Sequence, residues 1–166
     1  MMPMGELTLL GMVERLAAAE VAIHVGARKA LERVAVKVER DAKAEFGVYQ
    51  GAVGPFPAWA ELAESTQQER ARLGYAPNDP LLRDGTLRDS ISHHVEELEA
   101  EIGSDSDIME YQEFGTSKMP PRPVLGPALE RNHEVIVKEL GGAVVDGLIG
   151  GTPIHASLGY GTTVTE

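Results

Sequence analysis

Apolar and polar residues alternate along this chain with a period that changes several times. Residues 12–46 contain no proline and one glycine, Gly26. Leu31, Val34, Val38, Ala42 and Phe46 recur every three or four positions, which places them on one helical face. Lys29, Arg33, Lys37, Arg40 and Lys43 recur in the same way on the opposite face. The pattern predicts a long helix lying on a core with a basic outer side. A solvated face is the plain reading of that basic row. The functional reading is contact with an acidic neighbour or with DNA in a lumen.

Glycine and proline from Gly47 to Pro57 end the helix. Trp59, Leu62, Thr66, Arg70 and Leu73 predict a short helix over 58–73, with Trp59 as a packing anchor and Gly74 as the C-terminal cap. Asp84-Gly85-Thr86 reads as a turn into a strand. The period then becomes two. Ile91, His93 and Val95 share one face, and Leu98, Ala100 and Ile102 alternate likewise. With Ile108 to Phe114 as a third extended segment, this predicts a three-stranded antiparallel meander with an acidic polar face. Pro120, Pro121 and Pro123 stiffen the connection from Lys118 to Val124. Such a segment sets a fixed angle between sheet and helix, and its stiffness lowers the entropy cost of docking on a partner. Pro127 suits the first turn of a second helix, marked by Leu125, Ala128, Leu129, Asn132, Val135 or Ile136, and Leu140 and stopped by Gly141-Gly142. Residues 143–166 read as an extended or flexible glycine-rich arm.

Charge sharpens this picture. Six of the 15 basic residues fall between Arg28 and Lys43, while Asp89 to Glu113 carries nine acids and no Lys or Arg. The two segments suit each other as partners, within one chain or between copies. The net charge of −11 disfavours generic nucleic-acid binding, which needs cations to neutralise phosphate. An acidic surface would instead let DNA slide without sticking. The 166 residues suit one domain with an arm, and 43% apolar content supports a largely aliphatic core. No apolar run reaches the roughly 18 residues of a membrane span. The first residues, lacking a basic region and a long apolar run, do not read as a secretory signal. Cysteine is absent, which removes disulfides and thiolate metal ligands.

Candidate chemistry is sparse. His93 and His94 would point to opposite faces of a strand and so do not share a metal ion easily. His24, His133 and His155 are scattered. Asp89, Ser90, Ser92 and His93 contain the residue types of a nucleophile system, but sequence neighbours do not make a triad. No phosphate-binding loop, dinucleotide fingerprint, nucleophile elbow or zinc-protease motif is present. No catalytic, cofactor-binding or metal residue is assigned. Arg88 and Arg122 are read most simply as ion-pairing partners of the acidic strands.

Two segments together are recognisable. LLRDGTLRDSI, Leu81 to Ile91, followed by YQEFGTSKMPPRPVLGPAL, Tyr111 to Leu129, resembles the virion-morphogenesis family of tailed bacteriophages. Ile102-Gly103-Ser104 matches a piece between them, and Trp59-Ala60-Glu61-Leu62 with Ser65-Thr66 resembles an upstream element. The likeness spans roughly Leu7 to Leu140 and departs mildly at Asp84, Ile108-Met109 and Val124. It implies a non-catalytic neck, tail-completion or head–tail joining protein of long-tailed phages, located in the virion after assembly in the host cytoplasm. A homo-oligomeric ring around the DNA channel is implied, with six copies preferred by analogy. Its partners would be a head-completion ring and a tail terminator or tail-tube proteins, with DNA passing unbound and no membrane involved.

The expected fold is therefore α+β: a long N-terminal helix and a C-terminal helix on a small antiparallel sheet, a domain over 1–142 and an arm over 143–166. Expected subunit or ring contacts are Lys29, Arg33, Lys37, Arg40, Arg88, Glu113, Lys118 and Arg122. The alternatives are a tail terminator ring that caps the tube, or a non-catalytic adaptor whose proline segment binds a partner.

Overall fold

Thr8 opens the first helix by accepting a hydrogen bond from the Gly11 amide at 3.1 Å, a side-chain cap on an otherwise orphaned donor. In the computed structural model, which describes residues 8–149, that helix, α1, runs over Leu9–Ala44. Ala30, Val34, Ala35, Val38 and Ala42 are its buried positions, the stripe the periodicity predicts with two alanines added. After two glycine-rich turns come α2 (Glu64–Arg72) and α3 (Thr86–Asp89). Strands β1 (Ile91–Glu96) and β2 (Glu99–Ser104) form an antiparallel hairpin in which Ile91 faces Ser104 and Glu96 faces Glu99. Helix α4 (Asp107–Phe114) and helix α5 (Leu125–Leu148) follow.

The architecture is α+β, with both long helices and the small sheet as expected. Helix α5 runs antiparallel to α1: Asn132 binds Asp41, Glu139 binds Arg33, and Gly147 lies against Ile23. The hairpin packs on α1 beside them. Val34, Val38, Ala42, Phe46, Trp59, Ile91, Met109, Val124 and Ala128 make one buried cluster. Burial of apolar area there supplies the main driving force for the fold. Before Ile23, α1 outruns the end of α5. Leu9, Leu10, Met12, Val13, Leu16 and Val21 are all exposed on that extension.

Four expectations are corrected. The third strand is helix α4, because its true period is three to four. Met109 is buried and Gln112 and Glu113 half-buried on one side, while Ile108, Tyr111 and Phe114 face out. The sheet therefore has two strands. The helix over 58–73 shrinks to α2, because the backbone around Trp59 bonds elsewhere. The Trp59 amide donates to Gln50 O at 2.9 Å, and the Leu62 amide donates to the Tyr49 hydroxyl at 2.9 Å. Gly85, at φ +88°, leads into α3 and not directly into a strand. Finally, Gly141-Gly142 does not stop α5. Gly142 and Gly147 are buried, and at Gly147, where a Cβ would lie 2.6 Å from Ile23, close packing outweighs the ~1 kcal/mol that a glycine costs in a helix. The arm predicted over 143–166 is thus helical as far as Leu148, and its remainder lies outside the described residues.

Candidate functional site

Residues 59–61, 112–115 and 121–126 converge on one brace under the proline segment. Helix α4 delivers Glu113 to the start of α5. Its Oε2 accepts from the Val124 and Leu125 amides at 2.7 and 3.1 Å, and its Oε1 accepts from Gly126 at 2.9 Å. A carboxylate there satisfies three orphaned donors and meets the positive end of the helix dipole. The N-cap residue itself, Val124, supplies no side-chain cap.

Arg122 is 4% exposed. Its Nε and Nη2 donate to Ala60 O and Glu61 O, both at 3.0 Å, and its amide donates to Gln112 O. Burial pushes its pKa down from the usual arginine value. Trp59 Nε1 completes the brace by donating to Pro123 O at 2.9 Å. Gly115 makes the turn possible. At φ +73° it adopts a left-handed conformation, and a Cβ would lie 2.9 Å from both Met119 O and Pro121 N. The stiffness anticipated for Lys118 to Val124 therefore has a second source, since the segment is bonded to α4, to α5 and to the irregular backbone around Trp59.

Beside the brace opens a cleft of about 900 Å³. Its walls are α2, the 75–84 loop, the start of α3, α4 and the proline segment. Leu62, Leu81, Leu87, Ile108 and Met119 supply apolar surface, and Arg83 and Lys118 stand exposed at it. Arg83 stacks over the Tyr75 ring, 4.9 Å from its centroid. Arg70, 8% exposed, donates to Asp79 O at 2.5 Å. Arg70 and Arg122 thus both line the cleft while bonded to carbonyls and not to carboxylates. Gln112 Oε1 is buried there without a hydrogen-bond partner.

The basic row of α1 is interleaved with acids. Arg33 bridges to Glu139 at 2.8 Å, Lys37 and Arg40 both reach Asp41, and Lys43 binds Glu39. Lys29 is exposed. Burial would raise the Asp41 pKa, but bonds from Lys37 and Asn132 hold it below the usual value. Neither Arg88 nor Arg122 pairs with the acidic strands: Arg88 pairs with adjacent Asp89, and Arg122 is held inside. Of the eight contact residues expected, Lys118 and Arg122 line one cleft, Glu113 and Arg122 share the brace, Lys29, Arg33, Lys37 and Arg40 follow α1, and Arg88 stands apart.

His93 and His94 diverge as the strand period requires. His94 is exposed, whereas His93 is bound by Glu39 and, at 3.3 Å, by Glu32. Its bond to Glu39 chiefly raises its pKa, and Glu39 is in turn lowered by Lys43 first and His93 second. Among the described residues no cluster of His, Asp and Glu is arranged to hold a metal ion. Residue-by-residue reading missed Glu45. It is 3% exposed, with one oxygen on Arg131 and Oε2 unpartnered. Burial pushes its pKa up to about 7 against the pull of Arg131. Its position beside Phe46 at the end of the buried stripe was the available signal.

No protein-family model, curated protein or solved structure matches this chain.

Proposed function

We propose that this protein is a structural ring subunit at the head–tail junction of a long-tailed phage. It joins the DNA-filled head to the tail around the DNA channel. The observation that carries this reading is the brace. Trp59, Glu113, Gly115, Arg122 and Pro123 all belong to the segments that resemble virion-morphogenesis proteins, and in the fold they tie those segments together: Trp59 binds Pro123, Arg122 binds Ala60, Glu113 binds the Val124 amide, and Gly115 turns tightly against Pro121. Their shared work is mechanical: they lock a proline edge and a cleft in fixed relation to two long helices. Rigid presentation of a surface suits repeated docking between identical subunits. The charge of −11 suits a lumen through which DNA moves without adhering.

Negative-stain electron microscopy of the purified full-length protein tests the oligomeric part of this reading. Closed rings with a central opening are expected. Monomers at every concentration would count against it. A tail terminator is the second reading, favoured by the same resemblance, and it predicts the same rings.

A further inference from the structure

We propose that the β1–β2 turn of one copy seats in the cleft of the next, as the head-to-tail contact between subunits. This deepens the ring reading and rests on it for closure of the circle; the contact itself is argued from the two surfaces. The turn, Glu96-Glu97-Leu98-Glu99, presents an apolar side chain among three carboxylates. Leu98 is 54% exposed, and each of the three acids is exposed.

The cleft is its complement. Arg70, Arg83, Lys118 and Arg122 line it against only Glu61 and Asp84, in a chain whose overall charge is strongly negative. Two of those guanidiniums are nine-tenths buried and held by carbonyls alone, so their charge is not cancelled by a carboxylate. Leu62, Leu81 and Met119 offer apolar surface to an inserted leucine.

Two further observations fit. The only non-glycine residues with positive φ among those described are Glu97, at the turn, and Leu81, in the cleft wall. Each conformation costs roughly 1–2 kcal/mol for an L-residue, and such strain collects where a surface must be held in an unusual shape. The turn and cleft also lie at opposite ends of the hairpin: Ser106 and Leu87 of the cleft flank its base. Six residues of strand separate them by about 20 Å. One chain cannot fill its own cleft with its own turn, and successive copies related by a rotation can.

Sedimentation velocity on three full-length proteins tests this: wild type, a turn variant (E97K/E99K) and a cleft variant (R83E/K118E). All four positions are exposed, so thermal melts monitored by circular dichroism should match wild type. Wild type is expected to associate, and each variant alone to associate at least tenfold more weakly. An equimolar mixture should recover association, because every reversed turn then meets a reversed cleft. L98S, which leaves charge untouched, should also weaken association. Should either charge variant sediment like wild type, or the mixture fail to recover, this contact is overturned while the ring reading stands. A wild type that stays monomeric at every concentration would overturn both.

Discussion

Glu113 and Val124 lie eleven residues apart and meet at 2.7 Å, where the carboxylate on α4 receives the amide of the residue that caps α5. The same side chain takes the next two amides, so one residue fixes where α5 begins and how the proline segment approaches it. Replacing it by alanine leaves three partly buried donors without their acceptor. Glu113→Ala should destabilise the fold by roughly 2–3 kcal/mol, the cost of losing charge-assisted bonds at a helix start. Glu113→Gln keeps an acceptor and should lose about half as much. Chemical denaturation of the two variants beside wild type checks the order.

Stability should fall as pH rises through neutrality. His93 has a raised pKa in the fold, so its contribution is complete below about 6.5 and is lost as pH passes its folded value. Glu45 acts in the same direction. An unfolded glutamate ionises near 4.5, whereas the buried one keeps its proton up to about 7. Over that interval the unfolded chain gains the advantage, on the order of 3 kcal/mol by the end. Glu39 and Asp41, with lowered pKa values, oppose this only on acidification below their ordinary values of 4.5 and 3.8. The melting temperature should therefore peak near about pH 5 and decline toward pH 8. Glu45→Gln retains an acceptor for Arg131 but cannot ionise, and should flatten the decline. An unchanged slope in that variant would remove Glu45 from the account.

The far end of the helix pair depends on absent side chains. A Cβ at Gly147 would lie 2.6 Å from Ile23 Cγ1 and 2.7 Å from its backbone nitrogen. Backbone cannot rotate aside, so the clash exceeds the ~1 kcal/mol that alanine gains over glycine in a helix. Gly147→Ala should lower the melting temperature by several degrees, given roughly 2–4 °C per kcal/mol for a chain of this size. A variant as stable as wild type would show that α1 and α5 separate easily there.

The α1 basic row contributes little to stability. Arg33 is 59% exposed at its bridge to Glu139, and exposed pairs of this kind contribute about 1 kcal/mol or less. A double-mutant cycle with Arg33→Ala and Glu139→Ala should return a coupling within that bound. A larger coupling would mark the bridge as structural and weaken its candidacy as a subunit contact.

Much of the fold was legible in the chain. The stripe Val34, Val38, Ala42 and Phe46 and the alternation Ile91, His93, Val95 each fit one period and one buried face. What misled was local pattern without tertiary context. Residues 108–114 are short enough to suit either period, and burial of Met109 with Gln112 and Glu113 on one side goes with a helix. Gly141-Gly142 carries a stop signal by propensity, yet α5 runs through it to Leu148, where Gly147 packs against Ile23 of α1. The site was partly legible. The proline segment stood out, and Lys118 and Arg122 do line one cleft. Arg70, Arg83 and Gln112 come to it from separate elements, and no spacing in the sequence links them.

The proposed head–tail joining role is decided by electron microscopy of a lysate from phage with this gene disrupted. DNA-filled heads lying apart from finished tails of normal length are expected. Overlong tails would move the role to tail termination. Normally joined particles would contradict it.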